Sequence, residues 1–95
     1  MYNKGEAGIV FDWDRHNIWK VERHNLSTEE VEQVFYDPNR CKHNAYDGRR
    51  KIIGMTEDGR LLTIVYEKRE KKIRPITGWD SEDAEKRAYN RRRRS

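Results

Sequence analysis

The run Leu61-Leu62-Thr63-Ile64-Val65-Tyr66 is apolar on both faces of a strand apart from Thr63. A strand carries such a pattern where both faces are covered, so the run predicts the middle of a sheet. Residues 51–56 (KIIGMT) and 72–77 (KIRPIT) are its neighbouring strand candidates, with the central strand spanning 60–67. Glu57-Asp58-Gly59 reads as a three-residue hairpin loop with Gly59 in the left-handed position. Lys68 to Lys71 reads as a charged turn. A tight turn after Tyr66-Glu67 sets Val65 opposite Arg74 and Tyr66 opposite Ile73; the other hairpin sets Thr56 opposite Arg60. Arg74 then shares a face with Leu61 and Thr63. Pro75 has no amide to donate, which places its strand at an edge or a bulge. Residues 40–46 are a further, weaker strand candidate.

The first half reads differently. Residues 8–13 (GIVFDW) form a short strand candidate with Ile9, Phe11 and Trp13 on one face. Asp14 caps a first helix running to about Arg23, whose Ile18, Val21 and neighbouring Trp19 make a narrow apolar stripe. His24-Asn25 ends it, because Asn tolerates the left-handed conformation of a helix terminus. Ser27 and Glu30 then form a capping box, with Leu26 and Val31 as its hydrophobic staple. This second helix runs through Val34 and Phe35 until Asp37-Pro38 stops it. Gly78-Trp79-Asp80 breaks the strand pattern. Asp80 or Ser81 caps a last helix from residue 82 to about Arg92, with Ala84, Ala88 and Tyr89 facing inward. The order is β-α-α-β-β-β-α. That is an α+β fold: a small antiparallel sheet with a helical hairpin and a C-terminal helix packed on it.

Composition bounds what such a chain does. Its 95 residues suit one domain, residues 1–90, with a basic tail at 91–95. Only 34% of residues are hydrophobic and 40% are charged, but three Trp, five Tyr and two Phe carry large buried area each. A multidomain enzyme with a cofactor domain is excluded, as is a membrane span. The single cysteine forms no internal disulfide, and MYNKGEAG lacks a signal-peptide apolar run, so a soluble cytoplasmic protein is expected. The net charge of +4 is unevenly spread. Residues 1–39 hold 4 basic and 8 acidic side chains, residues 40–74 hold 11 and 5, and residues 75–90 hold 2 and 4. Arg91, Arg92, Arg93 and Arg94 supply the rest. The basic middle segment, with Arg49, Arg50 and Lys51 in sequence, suits a nucleic-acid surface or an acidic protein partner.

Few motifs carry chemistry. Cys41-Lys42-His43 is too small a set for zinc, which takes about four ligands, so no metal and no cofactor are expected. Gly54 and Gly59 are isolated, so there is no phosphate-cradling loop. Glu29 and Glu30 are explained by capping. His24, beside Arg23 at a helix C-terminus, suits the proton transfers of a ribonuclease. It equally suits a cap on the last helical carbonyls. Arg74, within a strand, is either salt-bridged or aimed at a ligand phosphate.

The ordered set Phe11-Asp-Trp13-Asp14, Asn17, Arg23-His24, Leu26-Ser27-x-x-Glu30-Val31-x-x-Val34-Phe35 resembles the BrnT-like toxins of bacterial type II toxin–antitoxin pairs. Ile53-Gly54, Gly59-Arg60-Leu61-Leu62, Val65-Tyr66, Ile73-Arg74-x-Ile76 and Glu85-x-Arg87-x-Tyr89 are similar to the same family's later elements. The resemblance implies a RelE-like fold and a small metal-independent endoribonuclease that blocks translation. It implies His24, Arg60, Arg74 and Tyr66 as catalytic candidates. Arg49, Arg50, Lys51, Trp79, Arg91 and Arg92 are the candidates for binding RNA. It also implies a ribbon-helix-helix antitoxin, in a 2:2 complex, through which the toxin reaches operator DNA. The chain departs from the family pattern at Asn25, where Gly is common, and at Gly78-Trp79-Asp80-Ser81, where an Ala-Arg pair is common. Trp79 there offers a face for a base to stack on. The rival readings are a non-catalytic RNA- or DNA-binding module and a protein-interaction domain.

Overall fold

The structure is a computed structural model and describes residues 8–94. Residues 1–7 of the expected domain and Ser95 of the expected tail lie outside the described residues. In chain order the elements are β1 (Val10–Phe11), α1 (Arg15–Glu22), α2 (Thr28–Val34), β2 (Cys41–Asn44), β3 (Arg50–Met55), β4 (Leu61–Arg69), β5 (Lys72–Asp80) and α3 (Asp83–Arg94). The five strands lie in the order β1-β5-β4-β3-β2, so β4 is central, as its two-sided apolar pattern requires. Strands β2 to β5 are antiparallel, and β1 adds to β5 in parallel. The 40–46 candidate is real as β2 and forms the far edge.

Alternation assigns the two faces. Ile52, Leu62, Ile64 and Tyr66 join Val21, Leu26, Val31, Val34 and Phe35 in the larger core, so α1 and α2 cover that face. Ile9, Phe11 and Trp13 pack against this core, as their shared face predicts. Cys41, Ile53 and Tyr89, with Met55, Leu61 and Ala88 beside them, form a smaller core under α3.

The caps are where the local sequence places them. Asp14 accepts from the amides of His16 and Asn17, and Asn17 returns a bond to the Asp14 amide. Ser27 and Glu30 close the second box, with Leu26 and Val31 buried as its staple. Asn25 takes a φ of 66° at the joint between the helices. The stripe of α1 differs from expectation: Asn17 and Val21 are its buried residues, while Trp19 is 56% exposed under the guanidinium of Arg23. In α3, Tyr89 is buried but Ala84 is exposed. Arg91 to Arg94 form the last turn of this helix and not a separate tail, where cations complement the C-terminal end of the helix dipole.

The β4–β5 register corrects the sequence reading. Val65 faces Thr77, Tyr66 faces Pro75 and Glu67 faces Arg74. Strand β4 continues to Arg69, and the chain reverses at Glu70, whose φ is 55°. A register shift between Val65 and Tyr66 bulges β5 beside Pro75, where the missing amide has no ladder bond to lose. Arg74 therefore moves two positions along β4 yet keeps its face, since a shift of two preserves side-chain direction. Gly78-Trp79-Asp80 does not break the strand; it belongs to β5.

Gly54 sits where α2 crosses β3. A Cβ there would lie 2.8 Å from the Val34 carbonyl oxygen and 2.9 Å from its Cγ1. Backbone cannot give way cheaply, so Gly54→Ala should destabilise the fold by about 2 kcal/mol. Denaturant midpoints of the two proteins check this, and an unchanged midpoint would show that α2 has slack over β3.

Candidate functional site

The four catalytic candidates do not converge. Arg60, just before β4, donates Nε and Nη2 to the two carboxylate oxygens of Asp80, at 2.9 and 3.1 Å. Its Nη1 donates to the Asn25 carbonyl at 2.8 Å and to Glu30 at 3.1 Å. The guanidinium thus ties the α1–α2 joint, the α2 capping box and the end of β5 together, and most of its donors are used. His24 lies exposed at the same joint, next to Asn25. Tyr66 is a core residue, 3% exposed, with its ring edge-on to Phe35 at 5.0 Å. Burial raises its phenol pKa. Arg74 stands apart from all three, at the N-terminal end of α1.

Arg74 is where cations gather. Its Nη2 lies 2.9 Å from Asp14 and its Nη1 3.6 Å from Asp12. Asp14 is also the cap of α1, so one carboxylate fixes both the helix start and the arginine. Its capping bond to Asn17 is the main reason its carboxyl is held below the usual range, with Arg74 adding to it. Beside Arg74 a cavity of about 170 Å³ is lined by His16 and Lys20 of α1, by Arg49, and by Glu67 and Arg69 of β4. Glu67 bridges two of these cations, at 3.1 Å from Arg49 Nε and 2.9 Å from Arg69 Nε. Those arginines lower the Glu67 carboxyl below its ordinary value. One imidazole, one carboxylate, one ammonium and three guanidiniums thus share a small concave space.

Sequence reading missed His16, Lys20 and Arg69 as members of this site. His16 and Lys20 are four apart on α1, so they share a helix face, and that spacing is visible in the sequence. Nothing local shows that this face meets the bulged edge of β5.

The RNA-binding candidates scatter. Arg49 belongs to the cavity and also lies over the exposed Tyr46 ring, 5.5 Å from its centroid. Lys51 lies 3.8 Å from Glu85. Trp79 donates its indole N–H to Glu85 at 3.1 Å and is half-buried. Arg50 is on the opposite face from Lys51, opposite Tyr66. Arg91 and Arg92 are exposed at the end of α3.

A larger cavity, about 530 Å³, is elsewhere, between the end of α2, β3 and α3. Asp37 organises its wall. It accepts from the Met55 amide and the Tyr89 hydroxyl, both at 2.7 Å. Burial, then that bond to Asp37, holds the Tyr89 phenol far above its ordinary pKa. The wall is structural and mixed in charge, with Glu57 and Arg93 on its rim. Among the described residues no three His, Cys, Asp or Glu side chains gather to hold a metal ion, and no helix is long and apolar enough to cross a membrane.

A family model described as ribonuclease toxin, BrnT, of type II toxin–antitoxin system matches residues 13–85. The chain belongs to the BrnT family. No curated protein matches it. The BrnT match takes in α1, α2, the whole of β2 to β5 and the start of α3, and with them every residue of the cationic cavity. Arg91 to Arg94 lie beyond it. BrnT proteins are ribonuclease toxins of type II systems, so this chain has an antitoxin protein as its partner.

The acid dependence of the fold follows from the same ion pairs. Glu30 is held low by its capping bond to Ser27 and then by Arg60, and Asp80 is held low by Arg60. A carboxyl with a depressed folded pKa stabilises above its unfolded value, near pH 4, and loses that contribution as pH falls through the folded one. Stability should therefore be flat from pH 7 to about 5 and fall below about 4. Arg60→Gln should shallow that fall. Urea midpoints measured across this range test it, and an equally steep acid limb in the variant would detach Arg60 from the effect.

Proposed function

We propose that this BrnT-family chain is a metal-independent endoribonuclease whose site is the cavity between α1 and the β4–β5 edge, and that its cleavage of RNA stops translation. The observation that carries the reading is the convergence of His16, Glu67, Lys20, Arg49, Arg69 and Arg74 on one cavity. RNA cleavage without a metal needs a base for the 2′-hydroxyl, an acid for the leaving 5′-oxygen, and cations for the charge building on phosphate. Glu67, kept ionised by its arginines, accepts the 2′-hydroxyl proton. The 2′-oxygen then attacks phosphorus, the bond to the 5′-oxygen breaks, and His16 donates a proton to that oxygen. Arg49, Arg69 and Arg74 hold the phosphate oxygens. The products are a 2′,3′-cyclic phosphate and a free 5′-hydroxyl. In this reading His24 and Arg60 form the structural joint at the other end of α1. The antitoxin is a ribbon-helix-helix protein that dimerises on a two-fold operator, which makes a 2:2 complex the natural assembly.

Induced expression in bacteria with a growth and RNA-integrity readout tests the toxin. Purified protein with EDTA tests the chemistry. Growth arrest, and EDTA-resistant cleavage leaving cyclic-phosphate ends, are the expected results. Normal growth and intact RNA at high soluble expression would overturn the reading, and RNA binding without cleavage would leave a non-catalytic module.

A further inference from the structure

A second cation cluster lies toward the β2 edge of the sheet, away from β5. Lys42 of β2 faces Ile52, and Arg50 of β3 lies between Asn44 and Tyr66. Lys42, Arg50, Tyr66 and Lys68 therefore point to the side of Ile52 and Ile64, the side that α1 and α2 cover. Arg40, two residues before Lys42, continues the row. Helix α2 ends at Val34 and leaves this corner open: Lys42, Arg50 and Lys68 are all exposed. Diagonal neighbours in a sheet stand about 7–8 Å apart, so the four charges repel one another. That crowding shows at Lys42, where partial burial and then Arg40, Lys68 and Arg50 lower the ammonium pKa.

The contrast with the catalytic cavity lies in the counter-charges. There Arg49, Arg69 and Arg74 each meet a carboxylate. Among the described residues none of Arg40, Lys42, Arg50 and Lys68 makes an ion pair. The corner adjoins the outer edge of β2, the last strand of the sheet, where backbone donors and acceptors face no neighbouring strand among the described residues.

We propose that this corner anchors an extended acidic segment of the antitoxin, which adds along β2 and sets alternate carboxylates beside Arg40 and Lys42, with Arg50 and Lys68 adding to the positive field behind them. That the partner is an antitoxin rests on the toxin reading; the anchor rests on the corner itself. A peptide fits better than RNA for two reasons. Its backbone pairs with the open edge of β2, and its alternate side chains, about 6.6 Å apart on one side, match the spacing of Arg40 and Lys42 along that strand. Glu67 and Arg69, which line the cavity, alternate with Lys68 along β4 and so point to the other side of the strand. The antitoxin thus has a hold on the toxin that is separate from the cleavage chemistry.

The test uses the full chain and two probes. One is a peptide of about twelve residues alternating Glu and Thr, which puts its carboxylates on one side when extended. The other is a 2′-O-methyl RNA oligonucleotide, which binds but cannot be cleaved. Lys42→Glu with Lys68→Glu should weaken peptide binding by about tenfold or more, and leave RNA affinity and RNA cleavage within about twofold. The charge-matched pair Arg93→Glu and Arg94→Glu should change peptide affinity by less than about threefold. The milder pair Lys42→Gln and Lys68→Gln, intermediate in effect, decides the matter should charge reversal unfold the protein. Bound peptide should protect the amides of residues 41–44 from exchange. Equal loss in the two charge-reversal variants would reduce the effect to net charge and overturn the proposal. So would RNA affinity that falls in step with peptide affinity, which would make the corner an RNA track. Failure of the parent protein to cleave RNA would sink the ribonuclease reading alone, because the peptide arms do not depend on it.

Discussion

Changing His16 to Gln should lower RNA cleavage by about 10²–10⁴-fold, the range a positioned proton-transfer group supplies. His24→Gln should leave the rate within about threefold. The two residues are eight apart, so α1 separates them by roughly 12 Å along its axis. At the His16 end, Arg49, Arg69 and Arg74 stand around a cavity. At the His24 end the neighbouring guanidinium, Arg60, is committed to Asp80, Glu30 and the Asn25 carbonyl. A phosphate arriving there would have to displace those partners. His16 is exposed, so Gln should be accommodated without loss of fold, and matched melting curves would confirm it. Single-turnover cleavage with saturating RNA isolates the chemical step from binding. The reverse outcome, with His24→Gln inactive and His16→Gln active, would move the site to the α1–α2 joint.

The contrast between these two histidines shows what the sequence could and could not disclose. His24 drew notice because it ends a helix, a local signal. His16 sits in the first turn of α1 on an exposed face, where a histidine usually does nothing but meet water. Its companions Glu67, Arg69 and Arg74 lie some fifty residues on, and the pairing of β4 with β5 and the contacts of Arg74 with Asp12 and Asp14 bring them to α1. The same limit hides the partners of Arg60. Its acidic partners are 30 and 20 residues away, so in sequence it looks like an unpaired strand cation. What was legible was short-range: both capping boxes or their first residues, the left-handed Asn25 and Gly59, and the two-sided apolar run of β4. Fold class follows from such signals because the alternation of a strand and the period of a helix are properties of neighbours. Register across a hairpin depends on turn length and bulges. There the reading slipped by two residues and kept only the face of Arg74.

Asn17 joins these levels, and Asn17→Leu should cost about 3–5 kcal/mol of stability, since each buried polar group left without a partner costs about 1–3 kcal/mol. Asn17 is 1% exposed and lies on the buried side of α1, a place where a helix of this pattern would ordinarily carry an aliphatic residue. Its Nδ2 donates to the Asp12 carbonyl at 2.9 Å and to the Pro75 carbonyl at 2.8 Å. Its Oδ1 accepts from the Asp14 amide at 2.8 Å, which completes the capping box of α1. Strand β1 pairs with β5 only at Lys72 and Ile73, so beyond that point the side-chain amide of Asn17 takes over as the partner of the β5 backbone. Leucine would fill the space but strand two carbonyls and one amide. Asn17→Asp should cost at least as much, because it keeps the acceptor for Asp14 but sets a buried carboxylate oxygen against the Asp12 and Pro75 carbonyl oxygens. The same bonds hold Asp14 in place, and Asp14 holds Arg74, so the cavity should loosen with them. RNA cleavage by Asn17→Asp should therefore fall under conditions where the variant is fully folded. Urea unfolding gives the stability, and cleavage assayed well below the unfolding midpoint separates the two effects. A leucine variant within about 1 kcal/mol of the parent would mean that water replaces the lost partners at this joint. Full cleavage by a folded Asn17→Asp would mean that Arg74 keeps its place without the β5 bond.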